Sequence, residues 1–323
     1  MAWTTGTAVA GGGKSALRNV YDALISFLTT NPELVAAERN WEIIRAAEEP
    51  KVGSAPEGTI YVTYLIAPGT SGQDRIHINI GYGQNQSAGI YGIILQGATD
   101  HSPTETLDFQ PGKSPYGVLN AWNNEITYWF FANGSRAIAV VKSSTTYAAL
   151  HAGFLLPAGT PAEYPYPLYI GAPDNTWRLW SQIGADQRSP FDPGELGCYL
   201  RQPNGSWSKV TNRDYFYRNV KIFPQCMYNM DSSTFRFFNF APTKTGEYVL
   251  RQSFLWAAWW TGSTPEQGDE ILNGIMGDIQ GVYYSPGFGT GTEAEITVNG
   301  EKYFIFQNMN RTGEGDYTAI KQE

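Results

Sequence analysis

The stretch from Ala8 to Ser15 (AVAGGGKS) matches a permissive form of the phosphate-binding loop of nucleotide-binding proteins. Such a loop needs a buried strand before the glycines and a helix after them, so that backbone amides and the lysine surround the phosphates. The residues after Ser15 have helical spacing, but the preceding MAWTTGT is short and polar. The sequence therefore favours a flexible, glycine-rich lead over a nucleotide site.

Three histidines, His77, His101 and His151, are of a residue type that binds metals or transfers protons. Their positions have neither the i, i+4 relation nor the HExxH spacing of a zinc site. His77 falls on the polar face of a predicted strand and His101 in a polar loop. His151 lies in an apolar segment, where a satisfied, semi-buried side chain is expected. Neither a metal site nor the GxSxG elbow of a serine hydrolase is predicted.

Four carboxylates share a loop-rich region with two tryptophans: Asp174, Asp186, Asp192, Glu195, Trp177 and Trp180. A glycosidase needs two carboxylates about 5–10 Å apart beside aromatic rings that face the sugar. The sequence leaves that possibility open, although solvated loop acids are the default interpretation. A calcium loop is not supported, because the D-x-D-x-D-G spacing is missing. We predict no catalytic, cofactor-binding or metal-ligating residues, and hence no enzyme.

The two cysteines, Cys198 and Cys226, form no CxxC pair and have no histidine cluster beside them, so zinc is not predicted. A chain of 323 residues buries a core without needing a disulfide. We therefore expect two buried free thiols, with a disulfide as the alternative.

Composition indicates a folded chain with an extensive contact surface. Charged residues make up 16% of the chain, against a usual value of about 25%, and aromatic residues make up 14%. Tyrosine and tryptophan bury large areas while keeping a polar tip, which suits protein contacts, sugar stacking or simply a large β-rich core. With a net charge of −8 and no basic block, nucleic-acid binding is not expected.

Targeting and membrane signals are not recognised in the sequence. The N-terminus has no basic region followed by an apolar one, so it does not read as a signal peptide. The longest apolar run, Phe254–Trp260, is too short to cross a bilayer. A soluble protein made in the cytoplasm is expected.

Helical spacing is confined to the N-terminal region. Residues 1–13 are small and polar and predict an arm or loose lead. Apolar residues then recur at spacings of three and four from Leu17 to Leu28, which predicts an amphipathic helix. Asn31-Pro32 predicts the start of a short second helix that runs to about Glu38, with asparagine as the N-cap.

After Trp41 the pattern becomes that of antiparallel strands. Alternation between Arg75 and Ile80 predicts a half-buried strand, with the isoleucines opposite His77 and Asn79. Asn-Gly pairs between hydrophobic runs predict three hairpins, because both residues tolerate positive φ. Further strands are predicted from composition. The hairpin turns and the other strands are Asn133-Gly134, Asn204-Gly205, Asn299-Gly300, Thr59–Ile66, Tyr91–Leu95, Ile126–Ala132, Arg136–Val141, Cys198–Arg201, Trp207–Val210, Phe235–Phe240, Tyr248–Trp256, Ile296–Val298 and Lys302–Phe306.

The predicted fold is mainly β, of the α+β type, with a short helical N-terminal unit before antiparallel hairpins in a sandwich-like body. Pro165 and Pro167 in EYPYPLYIG cannot donate to a ladder, so that piece is predicted to be a loop or edge segment between two halves. The predicted divisions are 1–45 for the arm and helices, 46–160 for a first β-rich domain and 161–323 for a second. The cluster Trp256–Trp260 is read as core at a strand end, with a contact patch as the alternative.

Several blocks of the sequence together resemble a family of tailed-bacteriophage virion structural proteins. The opening MAWTTGTA is followed by a helix ending in FLTTNPELVAA, with Trp41 close behind. The block YWFFANGSRAIAVVKSSTTYAALHAGFLLPAGTPAEYPYPLYIGA, the step IMGDIQGVYYSPG and the C-terminal ITVNGEKYFIFQNMNRTGEGDY are similar to blocks of that family. The segment Thr70–Pro115 matches none of these blocks, and Ser135-Arg136 replaces the family's two arginines.

The resemblance implies a non-enzymatic structural subunit of a phage particle, in the tail or baseplate, with the neck or collar as the alternative. It implies residence in the virion after assembly in the host cytoplasm, and contacts with tail tube, sheath, baseplate or neck subunits. Self-association in a symmetric ring is expected, without nucleic acid, a membrane span or a cofactor. A carbohydrate- or receptor-binding module is a further alternative, for which Trp177, Trp180 or Trp207 would line an exposed groove.

Overall fold

The computed structural model describes residues 1–50, 59–70, 74–184, 187–194, 196–212, 220–224, 250–260, 271–285, 291–313 and 316–322. Strands make up 51% of the structure and helices 10%, so the predicted mainly β fold with a short helical N-terminal unit is confirmed. The strands form three antiparallel sheets, which we call the central, helix-side and C-terminal sheets.

The central sheet has seven strands, in the order β1 (Ala2–Ala8), β7 (Ile126–Ala132), β8 (Arg136–Ser143), β9 (Thr146–Phe154), β11 (Leu168–Gly171), β12 (Cys198–Arg201) and β13 (Trp207–Lys209). The helix-side sheet has five, in the order β2 (Glu42–Pro50), β3 (Thr59–Ala67), β4 (Ile76–Asn85), β5 (Ile90–Ala98) and β6 (Gly117–Asn120). The C-terminal sheet follows the order β14 (Val220–Phe223), β15 (Arg251–Trp260), β16 (Ile271–Tyr284), β19 (Tyr317–Lys321), β18 (Glu301–Gln307) and β17 (Glu295–Val298), and β10 (Leu156–Pro157) pairs with β16. The helices are α1 (Ala16–Thr30) and α2 (Pro32–Ala36), with single 3-10 turns at Leu107–Phe109 and Trp180–Gln182.

The central sheet is buried on both faces. Phe130 and Leu150 point into a core shared with α1 and the helix-side sheet. Phe131 and Ile138, on alternate positions of β7 and β8, point into a second core shared with the C-terminal sheet. Because successive side chains of a strand point to opposite faces, a sheet covered on both sides has nearly continuous apolar strands. This explains the unbroken run in YWFFA.

The amphipathic stripe of α1 is confirmed, since Leu17, Leu24 and Leu28 are buried. The second helix begins at its predicted N-cap, where the Asn31 side chain accepts hydrogen bonds from the amides of Glu33 and Leu34.

The prediction of a loose N-terminal arm is wrong. Residues Ala2–Ala8 form β1, which pairs along its whole length with β7, from Ala2 opposite Ala132 to Ala8 opposite Ile126. As an edge strand, β1 leaves Thr5 and Thr7 exposed. Its small polar residues therefore reflect a position at the sheet edge, and they do not mark a lack of structure.

The three hairpins predicted from Asn-Gly pairs all form. At Asn299-Gly300 both residues have positive φ, as the prediction supposed. At Asn133-Gly134 neither residue has positive φ, so the prediction that positive φ forms this turn is wrong. The turn is instead closed by the Asn133 side chain, which accepts hydrogen bonds from the amides of Ser135 and Arg136. Asparagine closes such turns through its side-chain oxygen.

Two strand predictions need correction. The alternation in β4 is observed, but the strand is not half-buried, because His77 and Asn79 are also covered. Pro165 and Pro167 lie in a loop as predicted, whereas the residues after them form β11, an interior strand between β9 and β12. The outer face of the helix-side sheet is covered by the loop 99–116, through His101 and Leu107, and by Trp177 over Gly83, which explains the burial of β4.

The predicted divisions 1–45, 46–160 and 161–323 do not separate the sheets, since the central sheet takes strands from all three. As a statement about independently folding units, the division stays a prediction. Phe235–Phe240 lies outside the described residues, as do Tyr248 and the residue after it. Of the strand predicted there, Arg251 to Trp256 lie within β15, and Leu250 precedes it.

Candidate functional site

The glycine-rich loop is a tight turn between β1 and α1. The strand that the sequence did not predict is therefore present, although it is an edge strand of an antiparallel sheet. Gly11 and Lys14 exchange two backbone hydrogen bonds of 3.0 Å each, and Gly12 and Gly13 between them have positive φ. This conformation is that of a two-residue hairpin turn.

The groups that would surround a phosphate are engaged within the protein. The Lys14 ammonium lies 2.6 Å from an Asp22 carboxylate oxygen. The Ala16 amide donates to the Asn123 side chain, and the Ser15 hydroxyl is 2.5 Å from the Tyr82 hydroxyl. Each of these residues therefore serves to cap and anchor α1.

His151 lies in the core between the central and C-terminal sheets. It is buried against Tyr169 and Phe191. The expectation of a semi-buried histidine is wrong, because the side chain is fully covered. Burial, together with the nearby Arg136 guanidinium, lowers the pKa of His151 to about 3. The imidazole is neutral at physiological pH and packs as an aromatic ring.

The low pKa of His151 predicts a loss of stability in acid. Between pH 6.5, the ordinary histidine value, and about pH 3, the unfolded chain binds a proton that the folded chain does not. The free energy of unfolding therefore falls as pH decreases through this window. Between pH 7 and pH 4, we expect the free energy of unfolding to fall in both proteins. The fall should be smaller in His151→Leu than in the wild type, by at least about 1.4 kcal/mol. Urea unfolding at both pH values measures the difference, and equal losses in the two proteins would contradict this assignment.

His77 and His101 lie on the other side of the molecule, between the helix-side sheet and the loop 99–116. The His101 ring lies 5.0 Å from the ring of Tyr64, which donates a hydrogen bond to Glu49. Burial lowers the pKa of both histidines. Both histidines belong to a covered polar layer. Its other members are paired neighbours on the adjacent strands β2, β3, β4 and β5, namely Arg45, Tyr64, Asn79 and Gln96.

The carboxylates Asp174 and Asp192 are buried, so the expectation of solvated loop acids is wrong for both. Asp174 accepts hydrogen bonds from the amides of Asn175 and Thr176 and pairs with Arg178. It therefore organises its own loop. Asp186 and Glu195 lie outside the described residues.

Asp192 lies in a different network. Its carboxylate accepts hydrogen bonds from Arg188, Asn212 and Asn308, at 2.6–2.9 Å. Burial raises its pKa, an effect that the Arg188 guanidinium opposes. The network joins the loop before β12 to the segment after β18, and so connects two sheets.

The tryptophans proposed for sugar stacking are engaged in packing. Trp177 is buried over Gly83 and Gly92, where any side chain would collide with its ring. Trp180 packs against the core, and the Trp207 indole donates to the Gly112 carbonyl at 3.1 Å. None of the three lines either of the two grooves described below, and these contacts count against a carbohydrate module built on the three rings.

The remaining sequence candidates are the two cysteines and the tryptophan cluster. Cys198 is a buried free thiol, as predicted, and burial raises its pKa to about 12. Cys226 lies outside the described residues. In Trp256–Trp260, Ala257 faces the core and Trp256 packs on Phe223 at the outer face of the C-terminal sheet. Among the described residues there is no group of three potential metal ligands and no helix long and apolar enough to cross a membrane.

The surface most suited to a partner is a groove of about 560 Å³ between α1 and the first two strands of the helix-side sheet. Ile25 lines its helix side, and Ile43 and Tyr61 line its strand side. Its floor is held by a hydrogen bond of 2.6 Å between the Tyr21 hydroxyl and Thr63. The Arg18 guanidinium lies 4.0 Å from the centre of the Tyr61 ring.

The groove is bordered by the free edge of β2. This nine-residue strand pairs with β3 on one side, and within the described part of the chain no strand pairs with its other side. Ile43 and Ile44 on this strand are 49% and 40% exposed. A long edge with exposed apolar side chains is a template for pairing with another chain. We call β2 together with the groove the β2 surface.

Two features of β2 restrict what can pair with it. A bulge interrupts the register between Ile43 and Arg45, and Pro50 ends the strand. Bulges and prolines are devices by which natural edge strands avoid indiscriminate pairing. Exposed Glu42 and Glu48 also make the edge acidic. The β2 surface is therefore suited to a partner strand of matching register.

The sequence did not predict the β2 surface. The stretch EIIRAAEEP is rich in alanine and glutamate, which are depleted in strands, so composition gives no strand signal. The exposed Ile43-Ile44 pair beside Glu42 is the one local signal that could have pointed to it.

Comparisons with known proteins identify no family. No protein-family model matches the chain, and no curated protein gives a significant match. The resemblance to tailed-phage virion proteins stays a prediction.

Proposed function

We propose that the chain is a non-enzymatic structural subunit of a tailed-bacteriophage particle, a tail or baseplate component whose copies close into a symmetric ring. The observation that carries this proposal is the free, partly apolar edge of β2 beside its groove. The resemblance of the sequence blocks supports the kind of particle. The structural engagement of Lys14, Asp174, Asp192 and His151 favours a role through surfaces over one through chemistry.

The β2 surface favours strand addition as the mode of contact. In this mode the main chain of an incoming segment pairs with the free edge, while alternate side chains enter the neighbouring groove. Ile43 and Tyr61 would then be covered, and basic residues of the incoming segment would lie near Glu42 and Glu48. The occupant we propose is a segment of a neighbouring copy, because a head-to-tail contact between identical chains generates a ring when its rotation closes.

The proposal predicts that charge on the β2 surface blocks incorporation into particles. Ile43→Asp and Ala46→Asp would each bury a carboxylate beside Glu48, which costs several kcal/mol in a desolvated contact. We expect the number of copies per particle to fall at least about tenfold, the equivalent of 1.4 kcal/mol. The measurement is quantitative mass spectrometry of particles purified from cells that express the variant in place of the wild type.

Val9→Asp is the matched control, since Val9 is an exposed apolar residue that does not line the groove. We expect this variant to be incorporated at the wild-type level, and all three variants to unfold at the wild-type temperature. Wild-type incorporation of Ile43→Asp and Ala46→Asp would reject the β2 surface as the contact. Absence of the wild-type chain from purified particles would reject the proposed function itself.

A further inference from the structure

A second cavity lies far along the sheet from β2, at the end where β6 and β12 approach each other. It has a volume of about 420 Å³ and is lined by Lys113, Ser114, Pro115, Tyr116, Asn175 and Tyr199. We call it the tyrosine cleft. Tyr116 and Tyr199 are half-buried, so part of each ring is accessible.

The loops that form the tyrosine cleft are firmly held. The Ser114 amide donates to the Gly97 carbonyl at 2.8 Å, which fixes one wall to β5. On the opposite wall, the buried Asp174 carboxylate accepts a hydrogen bond of 2.7 Å from the Asn175 amide. This bond fixes Asn175, whose side chain lies next to the Tyr199 hydroxyl. Pre-formed walls reduce the entropy that a ligand loses on binding.

The tyrosine rings are also fixed in orientation. The Tyr116 hydroxyl donates to an Asp108 carboxylate oxygen at 2.9 Å. Burial and this carboxylate raise the pKa of Tyr116 to about 12, and burial raises the pKa of Tyr199. Both hydroxyls therefore remain protonated and uncharged, and the cleft offers two neutral aromatic surfaces.

The polar groups around the rings are mixed and nearly balanced in charge. The Lys113 ammonium lies 3.9 Å from the Asp108 carboxylate, so one positive and one negative group stand side by side at the cleft. Asn175 adds an amide, which both donates and accepts hydrogen bonds. We propose that the tyrosine cleft binds a neutral saccharide, whose C–H faces pack on the two rings while its hydroxyls bond to Asn175 and Lys113.

Other ligand classes fit this arrangement less well. A polyanion such as a nucleotide would find one lysine, already paired with a carboxylate. A purely apolar ligand would remove Asn175 and Lys113 from water without giving them a partner, which is unfavourable. A neutral polyol satisfies both the rings and the polar groups, and neither Trp177 nor Trp180 lines this site.

The test is saturation-transfer NMR of the purified chain with the methyl glycosides of glucose, galactose, mannose, rhamnose and N-acetylglucosamine. We expect saturation transfer from the protein to the sugar-ring protons of at least one of these probes. Tyr116→Ala and Asn175→Ala should each weaken the affinity for that probe about tenfold. The first variant loses a ring contact, and the second loses well-placed hydrogen bonds. Lys113→Met, an exposed substitution that spares the fold, should weaken it by a smaller factor.

Trp122→Ala provides the matched control, because Trp122 is an exposed aromatic residue that lines neither the tyrosine cleft nor the β2 groove. It should bind the probe as the wild type does. The inference is overturned if none of the five glycosides shows saturation transfer, or if Tyr116→Ala and Trp122→Ala bind the probe equally well. Because the probes are tested on the isolated chain, such a failure leaves the proposed assembly through β2 untouched.

Discussion

Replacement of Trp41 by alanine is expected to lower the free energy of unfolding by about 3–5 kcal/mol, the usual loss for a large buried aromatic side chain. Trp41 is fully buried, and its indole donates a hydrogen bond of 2.9 Å to the Asn133 carbonyl. It thereby joins the segment after α2 to the turn between β7 and β8. Urea unfolding of the two proteins measures the change.

Trp41→Phe separates the two contributions of this side chain. It keeps most of the apolar area but leaves the Asn133 carbonyl without its donor, so a smaller loss of about 1–3 kcal/mol is expected. A loss below about 1 kcal/mol in Trp41→Ala would fall within the range of an ordinary surface substitution and would contradict the junction described here.

Arg136→Ala is expected to lower the free energy of unfolding by about 3–5 kcal/mol, because it empties a buried site and removes the donor to a part-buried carbonyl. Arg136 is fully buried between the central and C-terminal sheets. Its guanidinium donates to the Gln280 carbonyl and contacts the Met1 sulfur. It also packs on Gly281, where a Cβ would come within 2.5 Å of the guanidinium.

Arg136→Met is the informative companion to that variant. Burial lowers the pKa of Arg136 to about 9, which reflects the unfavourable desolvation of a charge in this position. Apolar side chains of similar volume often replace buried charges at little net loss. We therefore expect Arg136→Met to be more stable than Arg136→Ala by about 2 kcal/mol or more. Equal losses in the two variants would mean that the charge itself is required.

Trp41 and Arg136 both reach the same turn, at Asn133–Ser135. The Gly134 carbonyl accepts a hydrogen bond from the Gly69 amide, and the side chains of Asn133 and Ser135 bond to Gln280. The turn therefore ties the helix-side, central and C-terminal sheets together. It lies in the block on which the resemblance to phage virion proteins mainly rests, so the quoted residues there have a role in the fold.

Local sequence signals predicted the elements whose periodicity or turn chemistry is strong. The stripe from Leu17 to Leu28 and the hairpin at Asn299-Gly300 need no tertiary information, since spacing and positive φ specify them. Strands β1 and β2 were missed because edge strands carry polar or helix-favouring residues, and their pairing with β7 and β3 decides their conformation.

The candidate site was less predictable than the fold. The histidines and acids that drew attention as reactive groups are buried by sheets whose packing no local pattern describes. His151 and Asp192 are examples, since each meets partners distant in sequence. The β2 surface depends on which strand lies at the sheet edge, and the tyrosine cleft joins Tyr116 with Tyr199 across the fold. Neither the edge position of β2 nor the proximity of the two tyrosines can be read from the spacing of residues in the sequence.

A cryo-EM map of the intact particle tests the central claim most directly, since the account assigns the chain a role through its surfaces. We predict closed rings, with a copy number that is a multiple of three or six, in which an extended segment of the neighbouring copy pairs with β2 and covers Ile43. A particle that lacks the chain would contradict the account, as would rings in which β2 faces solvent in every copy.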